Sequence, residues 1–419
     1  MNKDVIIAGG GIGGLTLALM LQRAGIPCRV YEAAPEIKGL GVGINILPHA
    51  AREFCALGLE PALSRVAVLT QDACFFNRFG QLIYREPLGR NAGFEWPQFS
   101  IHRGDLHLTL LAACRERLDA ERLHAGWRLK GYAQDGDGVT VYFQDTQTGV
   151  DLPPQRGAVL IGCDGINSVL RKQLFPDEGE PLYSGVNMWR GVTRWKPFLS
   201  GACMTRAGWH AHGKMVIYPI RNDVDADGHQ LINWVAEVTT PRYERRDWNR
   251  TGRIEDFIGH FAGWHFDWLD VPALLRASET ILEFPMVDQE PLPRWSHGRV
   301  TLLGDAAHPM VPRGSNGAGQ AILDARALTD SLAKHADATA ALKAYEDLRR
   351  EATARVVYAN RTNPPDAILR EVYTRTGDKP FARVEDVISS DELRSLSEGY
   401  KLVSGSSKEA LAASAPVQQ

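Results

Sequence analysis

Three glycines near the N-terminus have the spacing of a phosphate-binding turn. Gly9, Gly11 and Gly14 form the pattern G-x-G-x-x-G, after a short apolar segment and at the start of a predicted helix. In such a unit the first glycine makes the tight turn, the second lets the backbone approach a pyrophosphate, and the third allows the helix to pack closely on the strand. Because the helix N-terminus also offers free amides and a positive dipole end, the pattern predicts dinucleotide binding.

Glu32 indicates which dinucleotide is bound. It ends the second predicted strand, near the offset of ~20 residues at which an acidic side chain accepts both ribose hydroxyls. A carboxylate at this place would repel a 2′-phosphate. The sequence therefore predicts FAD or NAD, and not NADP, at this turn.

Two later strand ends carry small and acidic residues. The segment AVLIGCDGINSVLR ends its predicted strand at Asp164 and Gly165, and VTLLGDAAHPM ends its strand at Gly304 and Asp305. A plain NAD dehydrogenase needs neither motif. The pair therefore favours FAD.

Together with the N-terminal glycines, these motifs resemble the class A flavoprotein monooxygenases, which are single-component aromatic hydroxylases of the p-hydroxybenzoate hydroxylase fold. The resemblance runs from the first residue to about residue 360, with the three motifs in the family's order. It implies that Asp305 holds the flavin ribitol and that Asp164 and Gly165 serve both FAD and the nicotinamide donor. It also implies that Arg103, in SIHRGDL, lies beside the FAD.

The helix predicted to begin at about Gly317 is expected to lie against the flavin. The small residues of the preceding junction, which includes Pro312 and Asn316, would let its free amides approach the pyrimidine edge, where a positive helix end stabilises the anionic reduced flavin. The family commonly has Gly-Gln-Gly-Ala-Asn here, whereas this chain has Ser-Asn-Gly-Ala-Gly from residue 315. In the stretch GLGVGIN, Gly41 and Gly43 are predicted to give a moving flavin the freedom to swing.

The resemblance implies hydroxylation of an aromatic ring. FAD would be the resident cofactor, NADH or NADPH the transient electron donor and O₂ the co-substrate, with a flavin C4a-hydroperoxide delivering the oxygen atom. Five further stretches (GLGVGINI, FSIHRGDL, MWRGVT, DWNRTGRIED and FPMVDQEPLPRW) resemble the phenazine-hydroxylating branch of the family. The implied substrate is a planar aromatic or N-heteroaromatic molecule other than phenazine itself, hydroxylated with or without decarboxylation.

Tyr218, Arg190 and His210 are the candidate catalytic residues on the substrate side. Tyr218 could hydrogen-bond a substrate hydroxyl or be an ordinary sheet tyrosine, and Arg190 could pair with a substrate carboxylate or with a structural acid. His210 and His212 are candidate bases, although histidines in turn-like segments are commonly solvated. Strand alternation places Tyr218 and its even-numbered neighbours on one face of a sheet, without showing which face meets the flavin.

Other uses of an FAD framework are alternatives. A flavin-dependent halogenase relays hypohalous acid through a lysine, but this chain has no lysine between Lys38 and Lys130 and lacks that family's Trp-x-Trp-x-Ile-Pro motif. An NAD(P)H reductase without oxygen insertion stays open, as does a non-catalytic flavin-binding regulator. The broad aromatic-rich insert disfavours the regulator.

An α/β fold would position these residues. The prediction is a Rossmann-like FAD-binding domain with an inserted, mainly antiparallel β-sheet domain for the substrate and helices at the C-terminus. The insert is rich in Val, Ile, Trp and Tyr, which favour strands. The predicted parts are the FAD-binding domain at 1–70, 98–180 and 283–360, the substrate domain at 71–97 and 181–282, C-terminal helices at 361–403, and a flexible tail at 404–419.

The composition excludes several classes of protein. With 47 basic and 50 acidic side chains among 419 residues, the net charge of -3 provides no electrostatic footprint for nucleic acid. The longest apolar runs fall far short of the ~20 residues that a membrane span needs. The six cysteines are widely spread, so reduced thiols and no metal site are predicted. With no signal-peptide pattern, we expect a cytoplasmic monomer or homodimer.

Overall fold

The computed structural model describes residues 4–36, 39, 41–241 and 250–413. Three of the stretches used above extend beyond these residues. They are Leu40 within GLGVGIN, the first three residues of DWNRTGRIED, and the last six residues of the predicted tail.

The described strands follow one another along the whole chain. They are β1 (Val5–Ala8), β2 (Cys28–Glu32), β3 (Gly43–Ile46), β4 (Ala67–Leu69), β5 (Asp72–Phe76), β6 (Leu82–Pro87), β7 (Phe99–His102), β8 (Leu123–Ala125), β9 (Trp127–Gln134), β10 (Val139–Asp145), β11 (Gln155–Gly157), β12 (Val159–Gly162), β13 (Leu182–Trp195), β14 (Cys203–Gly208), β15 (Lys214–Arg221), β16 (Gln230–Thr239), β17 (Arg250–Thr251), β18 (His265–Phe266), β19 (Leu269–Asp270), β20 (Ile281–Asp288) and β21 (Val300–Leu302).

The described α-helices dominate the C-terminal third. They are α1 (Ile12–Arg23), α2 (Pro48–Ala56), α3 (Glu60–Ser64), α4 (Arg103–Arg117), α5 (Val169–Leu174), α6 (Val271–Arg276), α7 (Gly317–Lys334), α8 (Ala338–Thr362), α9 (Ala367–Thr376), α10 (Ser390–Ser404) and α11 (Lys408–Ala413). Among the described residues, no helix is both long enough and apolar enough to cross a membrane.

A parallel sheet forms the centre of the nucleotide side. Its strand order is β21-β12-β1-β2-β8, and each neighbouring pair is parallel. Its inner strands β1 and β12 are buried along their whole length, so they are apolar throughout rather than alternating. Ala8 pairs with Gly162, and Gly162 pairs with Leu302. The carboxyl ends of the three strands therefore lie side by side and bring the three predicted motifs to one edge, where such sheets bind ligands.

A second sheet of eight strands carries the inserted region. Its order is β17-β20-β13-β16-β15-β14-β5-β6, and only the β14–β5 pair is parallel. Strand alternation separates its two faces. Met215 and Ile217 pack with Trp234 in an aromatic-rich core on one face, whereas Val216 and Tyr218 point to the other face. This mixed α/β architecture with C-terminal helices is the layout that the sequence predicts.

Two predicted boundaries are wrong. Strand β20 belongs to the eight-stranded sheet, because it pairs with β13, so the insert extends through Asp288 and not only to residue 282. Residues 404–413 are also not a flexible tail. The segment folds back into α11, with Ser404 and Leu411 buried at 3% exposure each. Its polar composition conceals these packed positions, which only the contacts with the rest of the molecule reveal.

The C-terminal helices return the chain to the first helix of the nucleotide side. Helix α7 packs against α1, α8 packs along α7, and α10 packs on α8. As a result, residues of α10 reach the loop that precedes α7. This contact between distant parts of the chain shapes one wall of the site.

Candidate active site

One cavity lies where the motif-bearing edge of the parallel sheet meets one face of the eight-stranded sheet. Its volume is about 360 Å³. The predicted residues that line it are Gly11, Gly43, Arg103, Gly165, Gly304, Asp305, Pro312, Asn316 and Gly317 on the nucleotide side, and Arg190 and Tyr218 on the sheet. The other predicted residues are not part of this lining: Gly9, Gly14, Glu32, Asp164 and His210.

The three glycines of the first motif differ in what their surroundings require. Gly9 has φ = +111°, and a Cβ there would lie 2.2 Å from the carbonyl oxygen of Cys163. A Cβ on Gly14 would lie 2.0 Å from the carbonyl oxygen of Gly9. A Cβ on Gly11 would meet no heavy atom within 4 Å. Gly9 and Gly14 are therefore required by the turn and its packing, whereas Gly11 leaves space for a ligand.

Glu32 reaches this glycine turn from the end of β2. Its Oε2 accepts a hydrogen bond from the amide of Gly10 at 2.7 Å, and its Oε1 accepts one from the amide of Ala34 at 2.7 Å. Each carboxylate oxygen has a further lone pair, so both can still accept a ribose hydroxyl. The geometry of the turn and its acid fits the adenosine part of a dinucleotide.

The two residues of the second motif, Asp164 and Gly165, have different surroundings in the structure. Gly165 lines the cavity with φ = +75°. The carboxylate of Asp164 instead accepts a hydrogen bond from the amide of Leu170 at 3.2 Å, in the first turn of α5. Burial raises the pKa of Asp164, while hydrogen bonds from Ser168 and the α5 amides lower it. Asp164 therefore shapes the loop, and the backbone at Gly165 is what a ligand would touch.

The start of α7 has amides that no side chain caps. Asn316 occupies the N-cap, but its side-chain amide donates to the carbonyl of Gly314 at 3.1 Å and to the hydroxyl of Tyr400 at 2.6 Å. The first amides of the helix therefore remain for an acceptor in the cavity, which Gly317 and Ala318 line. This uncapped terminus fits the pyrimidine edge of a flavin, as the sequence predicts.

Tyr400 explains the shape of this loop, and sequence reasoning missed it. Gly314 has φ = +71°, and a Cβ there would lie 2.1 Å from the Tyr400 hydroxyl oxygen. The hydroxyl also donates to Asn360 Oδ1 at 2.5 Å, so α8 and α10 both brace the loop. The tyrosine lies 84 residues beyond Asn316, and no local pattern marks it.

Arg103 and Asp305 bring opposite charges to the nucleotide side. Arg103 is the first residue of α4, and its amide is held by the carbonyl of Val42 at 2.9 Å. The carboxylate of Asp305 is exposed toward the cavity, and its Oδ1 lies 3.8 Å from the position of a Cβ on Gly317. Guanidinium groups suit phosphate oxygens, and carboxylates accept hydrogen bonds from polyol hydroxyls. Both side chains fit their predicted places along an FAD.

Gly43 is a glycine because of packing. Its amide donates to Asn233 Oδ1 at 2.7 Å, and its carbonyl accepts a hydrogen bond from Arg190 at 2.9 Å. A Cβ on Gly43 would lie 2.6 Å from Cβ of Asn233. The prediction that both glycines of this stretch supply conformational freedom is wrong for Gly43, which ties β3 to the sheet. Gly41, with φ = +119°, does have the backbone conformation that favours glycine.

Tyr218 and Arg190 face the cavity from β15 and β13. Tyr218 is only 4% exposed, and its burial raises its pKa while the charges of Arg190 and Arg206 lower it. Burial likewise lowers the pKa of Arg190, whose guanidinium has no ion pair within the described ranges. The arrangement presents a neutral phenol and a positive charge to whatever occupies the cavity.

The two candidate histidines do not reach the cavity. His210 Nε2 lies 2.7 Å from Glu237 Oε2, and burial lowers the pKa of this histidine. His212 is exposed, with its Nε2 3.3 Å from Asp378 Oδ2. The structure therefore gives His210 a role in holding Glu237 and places neither histidine where it could act on a substrate directly.

A buried ionic cluster in the cavity wall was missed by sequence reasoning. Lys214 is 1% exposed, and its Nζ donates to both oxygens of Glu237 at 2.8 Å and to Asp366. The Nε of Arg206 lies 3.2 Å from Asp366 Oδ1. Burial opposes ionisation of Glu237, but Lys214 and His210 hold its pKa below the usual range. We call Lys214, Glu237, Asp366 and Arg206 the ionic cluster.

Part of this cluster left a signal in the sequence. Lys214 is an even-numbered neighbour of Val216 and Tyr218, so strand alternation already places it on the face of the Tyr218 side chain. A lysine on an otherwise apolar strand needs a partner if it is buried. Asp366 could not be found in this way, because it enters from the start of α9 through tertiary contacts alone.

Comparison with known proteins identifies the family of this arrangement. Residues 2–360 match a family model described as an FAD binding domain. The phenazine 1,6-dicarboxylic acid hydroxylase of Lysobacter antibioticus is 41% identical over 393 residues, which cover 93% of this chain and 96% of that protein. The 6-hydroxynicotinate 3-monooxygenase of Bordetella bronchiseptica is 32% identical, with 90% of this chain and 93% of that protein covered.

Solved structures show the same fold. Klebsiella pneumoniae HpxO complexed with FAD and uric acid superposes with a TM-score of 0.77 at 24% identity, covering 97% of each chain. At this identity the likeness concerns the fold alone. It agrees with the placement of the three nucleotide motifs at one edge of the parallel sheet.

Proposed function

We propose the following function from the premise that the chain belongs to the FAD-binding family of class A flavoprotein monooxygenases and is an FAD-dependent aromatic hydroxylase. The substrate is a flat aromatic or N-heteroaromatic acid that lies between the FAD and the eight-stranded sheet. One observation carries this proposal: residues of the nucleotide motifs and residues of the sheet line a single cavity.

The nucleotide side holds the cofactor mainly through its backbone. The turn at Gly11 and the N-terminus of α1 would receive the pyrophosphate, Glu32 would accept hydrogen bonds from the ribose hydroxyls, and Asp305 would accept them from hydroxyls of the ribitol. The uncapped amides at Gly317 and Ala318 would serve the pyrimidine edge, where the positive helix end would favour the reduced, anionic form. When bound, FAD supplies the chemistry of electron transfer from NAD(P)H and of oxygen activation.

The sheet orients the ring and sets its charge. Arg190 lacks a carboxylate partner in the described part of the chain, so an anionic substrate oxygen can take that place. Tyr218 stays protonated near neutral pH, since burial raises its pKa, and its hydroxyl can donate to a ring oxygen. Stabilising a deprotonated ring hydroxyl makes the ring more electron-rich and hence more reactive toward an electrophilic oxygen.

The test begins with the purified protein and its chromophore. We expect a yellow protein that binds FAD, and NADH or NADPH oxidation that accelerates with aromatic and N-heteroaromatic acids. Mass spectrometry of the product should show one added oxygen atom, or a carboxyl group replaced by hydroxyl. Stimulated NAD(P)H oxidation that yields only hydrogen peroxide for every ring compound would contradict the proposal and favour a reductase.

A matched pair of variants tests the role of Arg190. R190Q should raise KM for an acidic substrate by about ten- to hundredfold, since a hydrogen bond to a charged group contributes about 1.5–3 kcal/mol. R194Q is the control, because Arg194 lies on the same strand with its side chain 68% exposed and only a distant ion pair with Asp225. An equal effect of both substitutions on KM would show that Arg190 does not bind the substrate.

A further inference from the structure

Two cavities of the molecule share a wall. The active-site cavity described above and a second, smaller cavity of about 90 Å³ are both lined by Met204, Arg206 and Gly314. We call the second one the outer cavity. Its lining also includes Phe75, Leu88, Ala92, Phe94, Gln98 and Tyr400. Strand β14, which carries Met204 and Arg206, therefore stands between the two spaces together with the turn at Gly314.

The outer cavity reaches from the surface to this wall. Pro87 is exposed, and Ala92 and Phe94 are half-buried, so these three residues of the lining mark the entrance. At the wall, Met204 is 4% exposed and Arg206 is 8% exposed. The outer cavity therefore connects the protein surface with the boundary of the active-site cavity.

The lining of the outer cavity suits an aromatic molecule. Phe75, Leu88 and Phe94 offer apolar and aromatic surface. Gln98 adds a polar group, since it is 1% exposed and its Nε2 has no hydrogen-bond partner in the described part of the chain. A buried donor is rarely left unpaired in a folded protein. An acceptor atom on a molecule inside the outer cavity could pair with it.

The wall combines one adaptable side chain with one that is held. Met204 is unbranched and has three rotatable bonds, so it can change its conformation at low cost. Arg206 is anchored, because its Nε lies 3.2 Å from Asp366 Oδ1 and its guanidinium carbon lies 5.3 Å from the ring centre of Phe75. An engineered cavity of about 150 Å³ holds a benzene molecule. A ring can therefore pass the smaller outer cavity only when side chains such as Met204 move.

The nucleotide side of the active-site cavity is the place of the cofactor. Gly11, Asp305 and Gly317 line it there, and FAD bound to them would occupy that side. A substrate that lies against the eight-stranded sheet then needs a way in that does not pass the cofactor. The outer cavity reaches the sheet at Met204, away from the nucleotide motifs.

From these observations we infer that aromatic substrates enter the active-site cavity through the outer cavity, with Met204 as the side chain that moves aside. The inference rests on the proposed function and adds a second place where its substrate binds. The outer cavity takes a planar aromatic molecule with a hydrogen-bond acceptor for Gln98 before that molecule reaches the cofactor.

The experiment narrows the entrance at Ala92 in the FAD-loaded protein. Ala92 is half-buried at the end of a short 3-10 turn, so the series A92L, A92F and A92W adds bulk at the entrance and not in the packed core. Stopped-flow measurement of the flavin absorbance gives kon and koff for three probes: benzoate, quinoline-2-carboxylate and phenazine-1-carboxylate. In A92W both rate constants should fall by about tenfold, because a narrower passage raises the barrier in both directions. The Kd should stay within about twofold of the wild-type value, since neither end state changes.

Probe size and the position of the tryptophan provide the controls. The loss of rate should increase from benzoate, which has a single ring, to phenazine-1-carboxylate, which has three fused rings. A120W is the matched variant, because Ala120 also lies in a short 3-10 turn but belongs to neither lining, and its kon should equal that of the wild type. At saturating probe, the rate of flavin reduction by NADH or NADPH should be the same in all variants. A92L, which adds the least bulk, keeps the test valid if A92W does not retain FAD.

Three results would overturn this entry route while leaving the aromatic hydroxylase intact. The first is an unchanged kon throughout the Ala92 series, and the second is an equal loss of kon in A120W. The third is a raised Kd at unchanged kon, which would make Ala92 part of a binding site and not of a passage. Failure of the protein to bind FAD, or to hydroxylate any aromatic compound, would instead overturn the proposed function.

Discussion

Along the nucleotide side of the cavity, the groups that face a ligand are mainly backbone amides and glycines, whereas along the eight-stranded sheet they are long side chains, some charged and some apolar. At Gly11 and Gly317 the chain removes side chains so that its backbone can approach the ligand. At Arg190 and Arg206 it extends side chains from strands that are paired in register. The first kind of site depends on local conformation, and the second depends on the pairing of four strands.

This difference determines how each side responds to substitution. A glycine turn loses stability when an added Cβ collides with the backbone, and a nearby glycine that faces open space can be changed without loss of the fold. The sheet side loses stability when a buried charged side chain loses its ion-pair partner. The predictions below test this contrast from the largest expected effect to the smallest.

The largest effect is expected in the ionic cluster. Lys214→Met removes the one cation that both Glu237 and Asp366 share, which leaves two buried carboxylates poorly paired. The free energy of unfolding should fall by about 3–5 kcal/mol, as measured by urea denaturation. The exposed pair Lys343–Asp347 serves as the control, and K343M should change stability by less than about 0.5 kcal/mol.

Next come two alanine substitutions in the glycine turn. Gly9→Ala places a Cβ against the carbonyl oxygen of Cys163 at a positive φ, so it should lower the free energy of unfolding by about 3 kcal/mol. Gly11→Ala meets open space and should leave the unfolding of the apoprotein unchanged, yet it should weaken FAD binding. Fluorescence titration with FAD measures this second effect. Normal FAD affinity in G11A would show that the pyrophosphate does not approach at this residue.

The ionic cluster should also make stability depend on acidity. The pKa values of Glu237 and Asp366 are depressed in the folded protein, mainly by Lys214 acting against the effect of burial. Their stabilisation is therefore complete above the usual values of 4.5 and 3.8 and is lost as the pH falls below them.

Urea denaturation from roughly pH 3 to pH 7 measures this dependence. Below pH 4.5 the wild-type protein should lose stability more steeply than E237Q, which has no carboxylate to protonate at this position. Equal slopes for the two proteins would show that Glu237 does not carry the effect.

The smallest effect is expected at the brace behind the flavin loop. Tyr400→Phe removes the hydroxyl that joins Asn316 to Asn360, so it should cost about 1 kcal/mol of stability. Because the loop before α7 would be held less firmly, the rate of flavin reduction should change as well. Y358F, on an exposed tyrosine of α8, is the matched control. An unchanged rate of flavin reduction in Y400F would show that the Tyr400 hydroxyl contributes to stability only.

The sequence alone was sufficient wherever a site is made by consecutive residues. The motifs at Gly9, Gly165 and Gly304 each combine a buried strand, a tight turn and the start of a helix or helical turn, so their meaning is local. Strand alternation also predicted that Val216 and Tyr218 share a face. The local sequence could not show why residue 43 must be a glycine, because the side chain that packs against it, Asn233, lies 190 residues away in the chain.

The sequence by itself thus determined the FAD-binding architecture, because backbone geometry within a few residues encodes phosphate and flavin contacts, and the same motifs carried the resemblance that implied the family and its aromatic hydroxylase chemistry. Only the tertiary structure decided that His210 holds Glu237 rather than a substrate, that Asp366 reaches the cavity and Tyr400 reaches the loop before α7, and that Arg190 and Arg206 lie in one register row across four strands. Strand register and helix packing set these neighbours, and both arise from contacts between residues that are far apart in the chain.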